Sequence, residues 1–87
     1  MAFFTARILS KDGVVIADDV EVWIRFFRLG NTGMWDGSFE VPATTPLSAH
    51  TYRIQLADGR EGEITNITAR IFSDNIMVYF EGDGPLQ

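Results

Sequence analysis

The stretch VEVWIRFF at residues 20–27 decides the fold of this chain. Every second residue from Val20 to Phe26 is aliphatic or aromatic, and charged residues stand between several of them. Successive side chains of a β-strand point to opposite faces, so this alternation predicts a strand with one face turned to a core. The segment is therefore expected to be part of a sheet rather than of a helix.

The same alternation returns after almost every turn signal along the 87 residues. Asp58-Gly59 is the clearest hairpin signal, and Gly30-Asn31-Thr32-Gly33 marks another turn. No stretch has helical spacing with a capping box before it. We predict strands over residues 2–9, 14–17, 20–29, 34–41, 51–57, 60–72 and 76–81.

Short strands with a turn every 8–12 residues predict an all-β fold. We expect a small antiparallel barrel, partly open, built as a meander of six to seven strands. A two-sheet β-sandwich is the alternative. The barrel forms a single domain over residues 1–81, and residues 82–87 follow it as a loose C-terminal tail because they have no periodicity.

Irregular positions are predicted at four places. Asp18-Asp19 interrupts the apolar run before residue 20, and the inward phase of residues 60–72 shifts near Thr65-Asn66, where a bulge would restore the register. Gly37 indicates a bulge or a sharp bend in its strand. Residues 42–50 contain Pro42 and Pro46 and are expected to form a loop.

Composition and charge narrow the class of protein. The chain has no cysteine, which favours a reducing, cytoplasmic setting and excludes thiol chemistry. Residues 1–9 lack the features of a signal peptide, and no segment predicts a membrane span. The net charge of −5 makes nucleic acid an unlikely partner, since an acidic surface repels a phosphate backbone.

Catalytic and metal-binding patterns are sparse. His50 is the single histidine, and no nucleophile stands at a recognisable spacing from it. The aspartates fall mostly at turns rather than in a calcium-binding loop. We predict no enzyme activity, no metal and no cofactor; only a pocket that gathered Asp36, Ser38 and His50 would support catalysis.

Large apolar residues on the outward phase of the strands are the main functional signal. A solvated sheet face would be polar there, and protein interfaces are enriched in aromatic residues, methionine and arginine. We therefore predict a domain that acts through protein contacts, as a homo-oligomer, most simply a two-fold dimer, or as an accessory module. The predicted interface consists of Trp23, Phe27, Met77 and Tyr79, with Arg25 and Arg70 at its margin.

A binding barrel is the alternative function. Trp35 lies beside Asp36-Gly37, and a tryptophan at such a place can act as a platform for a small molecule. His50 and the outward arginines would join it, and single-stranded nucleic acid is the other ligand class that stacks on aromatic side chains. In the opposing interpretation, Trp35 fills one end of the core.

Overall fold

The computed structural model describes residues 2–87, which form six strands and no helix. In chain order the strands are β1 (Ala2–Leu9), β2 (Val15–Leu29), β3 (Thr32–Pro42), β4 (Tyr52–Leu56), β5 (Glu61–Phe72) and β6 (Asn75–Asp83). None of the described residues belongs to a helix long and apolar enough to cross a membrane.

The strands form a closed barrel in the order β1-β2-β3-β6-β5-β4, and every neighbouring pair is antiparallel. The predicted small antiparallel barrel is thus confirmed, and the ring is closed rather than partly open. Two three-stranded meanders, β1-β2-β3 and β4-β5-β6, replace the single meander. The connection from β3 to β4 changes the order, so that β3 lies beside β6 and β1 lies beside β4.

β2 is one long strand where the sequence predicts two. The pairing with β1 shifts register between Ala6 opposite Val20 and Ile8 opposite Ala17. Asp19 takes a positive φ of 54° at this point. An aspartate tolerates the left-handed region better than most residues, so Asp18-Asp19 forms a bulge that bends the strand without ending it.

The bulge predicted in β5 is confirmed. Its pairing with β6 shifts between Thr65 and Thr68, and Asn66 has a φ of 50°. Gly37, by contrast, lies in continuous pairing with both β2 and β6. A Cβ on Gly37 would collide with the Trp23 backbone carbonyl of β2 and lie 2.7 Å from the Phe80 ring, so the glycine allows a close approach of the neighbouring strand and of a core ring rather than forming a bulge.

Inward side chains of all six strands fill the barrel. Six of them are less than 2% exposed: Ile8, Val22, Ile24, Ile54, Ile64 and Val78. Burial of each such side chain contributes roughly 1.5–3 kcal/mol relative to exposure. No polar or charged residue among residues 2–87 is buried, and no buried side-chain nitrogen or oxygen there lacks a hydrogen-bond partner, so the core is apolar.

Trp35 closes one end of the barrel. It is 5% exposed, and its ring packs where a Cβ on Gly82 would stand 2.1 Å from Cε2. The residues expected as a loose tail are held in place: β6 extends to Asp83, Leu86 packs against the core, and the backbone N–H of Gln87 donates to the Glu61 carbonyl at 2.9 Å.

Candidate functional site

The outer surface of the barrel carries a row of large side chains across neighbouring strands. Phe3 of β1 pairs with Trp23 of β2, Trp23 with Ser38 of β3, and Ser38 with Tyr79 of β6. Strand pairing rather than chain proximity therefore assembles this surface. We call the set Phe3, Trp23, Met77 and Tyr79 the outer wall patch.

Exposure distinguishes the outer wall patch from the core. Phe3 is 56% exposed and Tyr79 is 46% exposed, while Trp23 and Met77 are half-buried. The rings of Phe3 and Trp23 meet edge to face, with centroids 4.1 Å apart. The aromatic side chains are thus held against each other but still present a large apolar area to the outside.

Ser38 shapes the centre of this surface. Its small side chain stands between Trp23 and Tyr79, and open depressions lie on either side of Trp23. One, of about 440 Å³, includes Trp23, Ser38 and Tyr79 in its lining. The other, of about 450 Å³, includes Phe3, Trp23 and Met77. A partner side chain inserted into either depression would contact an aromatic ring of the patch.

Arg25 borders the patch in a fixed position. Its Nε donates to Oδ1 of Asp36 at 3.1 Å and its Nη2 donates to Oδ2 at 2.6 Å. This two-fold contact with the carboxylate raises the pKa of Arg25 above its ordinary value. The guanidinium carbon also lies 4.8 Å from the centroid of the Phe27 ring, so Arg25 stands between Trp23 and Phe27 along β2.

The remaining predicted interface residues occupy two separate places. Arg70 lies directly opposite Met77 in the β5–β6 pairing, at the margin of the outer wall patch, and forms no ion pair within residues 2–87. Phe27 lies on the β2–β3 hairpin and borders a different depression, of about 800 Å³, together with Met34 and Leu86.

The two predicted ligand-binding residues are not brought together. Trp35 is buried as the barrel plug, and its indole N–H donates to the Gly84 carbonyl. His50 is exposed in the connection between β3 and β4, outside the depression that Trp35 borders. The ring of Trp35 is occupied by contacts within the barrel, so it offers no open stacking platform.

Catalytic groups are likewise dispersed. Asp36 and Ser38 share one depression of the outer wall, but His50 is not part of its lining. Within residues 2–87, no three side chains of histidine, cysteine, aspartate or glutamate form a cluster able to hold a metal ion. The outer wall patch is therefore an apolar, aromatic surface with charged side chains around it, suited to contact rather than to catalysis.

Most arginines already have acidic partners. Arg7 pairs with Asp18 at 3.3 Å, Arg60 with Asp58 at 2.9 Å, and Arg53 with both Glu61 and Glu63. These exposed pairs contribute little to stability. They matter because they neutralise the positive charge that a phosphate backbone would need.

Exposed apolar residues at two positions on the surface were not included in the predicted interface. Phe3 has the same outward phase as Arg7 in β1, and only the pairing of β1 with β2 shows that it meets Trp23. Ile71 and Phe72 at the end of β5 are 75% and 55% exposed. The alternating pattern places Phe72 on the outward phase with the predicted interface residues, but it cannot distinguish a covered strand end from a bare one.

Comparison with known proteins provides no further constraint. No protein-family model, no curated protein and no solved structure matches the chain.

Proposed function

We propose that this chain is a non-enzymatic binding domain that acts through protein contacts, and that the outer wall patch is its contact surface. The exposed aromatic row from Phe3 through Trp23 to Tyr79 is the observation that carries the proposal. Large exposed apolar areas mark contact sites, and aromatic residues with methionine are the residues that interfaces favour.

A protein partner fits this surface better than a nucleic acid does. Trp23 and Tyr79 would offer stacking faces, but Arg25 beside them is committed to Asp36, and Glu81 lines the same depression. Stacking proteins for single strands combine their rings with a basic groove. Here Arg25 is neutralised, Glu81 is acidic, and Arg70 is the one arginine at the margin of the patch without an ion pair within residues 2–87, so the surroundings do not form a basic groove and a protein segment is the favoured partner class.

The patch has the anatomy of a small interface centre. The half-buried Trp23 is anchored by Phe3, and the depressions beside it receive partner side chains. Tryptophan and tyrosine are the residues that most often dominate binding energy at such centres. Arg25 and Arg70 would lie at the rim, where charged groups affect orientation more than affinity.

Site-specific photo-cross-linking in the native cells tests this proposal. A photoreactive phenylalanine analogue at Ser38 stands in the middle of the patch, and the same analogue at Lys11, in the exposed β1–β2 turn, serves as the control. We expect a discrete protein adduct from position 38 and none from position 11. The mass of the adduct separates a homo-oligomer from an accessory module.

Trp23→Ser completes the design. Introduced together with the photoreactive group at position 38, it should abolish the adduct while the domain remains folded by circular dichroism. A folded protein that yields no adduct at position 38, or the same adduct with and without Trp23, would rule out the outer wall patch as the contact surface.

A further inference from the structure

The second half of β5 has one edge without a neighbouring strand. Pairing between β4 and β5 ends with Tyr52 opposite Ile64, whereas β5 continues to Phe72. On its other side, β5 remains paired with β6 from Thr68 to Phe72. Within residues 2–87, no strand lies along the vacant side of residues 65–72. The cause is the length of β4, which has five residues against twelve in β5.

This edge is open and apolar. All of residues 68–72 are exposed, and Ile71, at 75%, is the most exposed large hydrophobic residue within residues 2–87. In an antiparallel sheet, alternate residues turn both the N–H and the C=O to the same side. Phe72 faces Asn75 across a two-residue turn, so Ile71 and Ala69 direct these groups to the vacant side, while Ile67 falls within the register shift between Thr65 and Thr68.

The usual protections of an edge strand are missing here. Residues 68–72 contain no proline and no lysine, and the register shift between Thr65 and Thr68 lies before them. The single charge is Arg70, whose backbone groups face β6. Edges of this kind pair with another extended chain. The unpaired backbone N–H and C=O groups of this edge therefore favour the binding of another extended strand.

We propose that a second copy of this chain is that strand, and that two β5 edges pair antiparallel about a two-fold axis at Ala69. The sequence ITARI at residues 67–71 is nearly symmetric about Ala69. In this register, Ile67 faces the partner's Ile71, Ala69 faces the partner's Ala69, and the reverse pairs repeat by symmetry. Apolar cross-strand pairs of β-branched residues stabilise a sheet.

The charge of Arg70 favours the register centred on Ala69 over the adjacent register centred on Arg70. Centring the pair on Arg70 would place two guanidinium groups directly opposite each other, which is destabilising. Centring it on Ala69 places Arg70 opposite the partner's Thr68 instead, with the two arginines on a diagonal. The facing Ala69 residues exchange two backbone hydrogen bonds in that arrangement, and Ile71 of each copy turns its own N–H and C=O toward the partner's strand.

The edge adjoins the outer wall patch, because Thr68 and Arg70 pair with Tyr79 and Met77, but the two contacts use different groups, so this inference does not depend on the proposed function. The edge is defined by the backbone of residues 67–71, while the patch is formed by side chains on the outer face of β1, β2 and β6. Pairing of two β5 edges would leave Phe3 and Trp23 free, because both lie across the barrel wall on β1 and β2. Failure of one proposal leaves the other testable.

Sedimentation velocity of the full chain over a range of concentrations provides the first test. We expect a reversible monomer–dimer equilibrium, and Ile71→Lys should raise the dimer dissociation constant about tenfold or more by placing a charge in the pairing edge. Val14→Lys is the matched control, because Val14 is 60% exposed in the β1–β2 turn. A wild-type chain that stays monomeric at all concentrations overturns the proposal.

A cysteine placed on the axis tests the register. The chain has no cysteine, and facing residues of an antiparallel pair have a Cα separation that a disulfide can bridge. Ala69→Cys should form a covalent dimer under mild oxidation, and Ala49→Cys in the exposed β3–β4 connection should not. Equal cross-linking of both variants, or a dimer that Trp23→Ala dissociates and Ile71→Lys does not, would overturn pairing through β5. So would a monomer whose β5 edge binds only a foreign extended peptide.

Discussion

The indole Nε1 of Trp35 donates a hydrogen bond of 2.8 Å to the carbonyl oxygen of Gly84. This bond joins the core side chain that closes the barrel end to the segment that follows β6. Leu86 packs against the core two residues later, and Gln87 is bonded to Glu61. The last four residues are therefore part of the folded domain, because they satisfy the buried indole N–H and cover Trp35.

Removal of residues 84–87 should weaken the barrel. The truncated chain loses the acceptor for the Trp35 indole and the apolar contact of Leu86, and we expect the free energy of unfolding to fall by about 1–3 kcal/mol. Urea denaturation measures this change. In a Trp23→Phe background the emission of Trp35 should also shift to longer wavelength as water reaches the ring. An unchanged midpoint together with an unchanged emission maximum would show that the segment is a loose tail.

Gly82→Ala should destabilise the barrel because a methyl group there collides with the Trp35 ring. The added Cβ would lie 2.1 Å from Cε2 of Trp35, inside any permitted contact. Overpacking of this kind costs about 1–3 kcal/mol, and more where the neighbour cannot move. Gly33→Ala is the matched control, because it lies in the same sheet with nothing within 4 Å of its Cβ position. Comparable denaturation midpoints for the two variants would contradict the packing of Trp35 on Gly82.

The fold class could be predicted from the sequence alone, because the alternation of apolar and polar side chains shows which face of each strand turns inward. Val22 and Ile24 are inward and fully buried, and Trp23 between them faces outward, as the alternation predicts. The shift at Thr65-Asn66 was also visible, since the apolar residues after it change phase. Strand phase is a local property, and local properties can be inferred from adjacent residues.

Non-local pairing could not be inferred in the same way. The alternation in β3 and β6 contains nothing that specifies Ser38 opposite Tyr79, yet this pairing places Tyr79 beside Trp23 across the outer wall. The bulge predicted at Gly37 is absent, and the close contacts that require a glycine there were not visible in the sequence, because one of them, Phe80, lies 43 positions later. Which strand ends remain uncovered depends on strand lengths, and β4 proved too short to cover β5.

Asp58 should titrate below the ordinary aspartate range, about 3.9 for a free side chain. Its carboxylate accepts hydrogen bonds from the Arg60 guanidinium and from the Arg60 backbone N–H, and these lower its pKa. Because the folded state binds this proton less tightly, the contribution of Asp58 to stability is complete above the unfolded pKa. It is lost as the pH falls through the lower, folded pKa.

Carbon-13 NMR titration of the Asp58 carboxyl measures this directly. Arg60→Ala should raise the Asp58 pKa toward the ordinary range, and only partly, because the backbone N–H at position 60 remains. Arg60→Lys keeps the charge but loses the paired contacts of the guanidinium, and should give an intermediate value. An Asp58 pKa that does not respond to Arg60→Ala would assign the depression to another cause.

Trp23 and Ile24 are adjacent in β2 but lie on opposite faces of the barrel wall, which makes them a matched pair for separating binding from stability. Ile24→Ala removes a side chain with 0% exposure and should lower the free energy of unfolding by about 2–5 kcal/mol. Trp23→Ala loses mainly the edge-to-face contact with Phe3, and a loss of about 1 kcal/mol is expected. Urea denaturation of both variants, together with the cross-linking yield at position 38, gives the comparison. If Trp23→Ala destabilises the domain as much as Ile24→Ala does, Trp23 is a structural residue and the outer wall patch is not a binding surface.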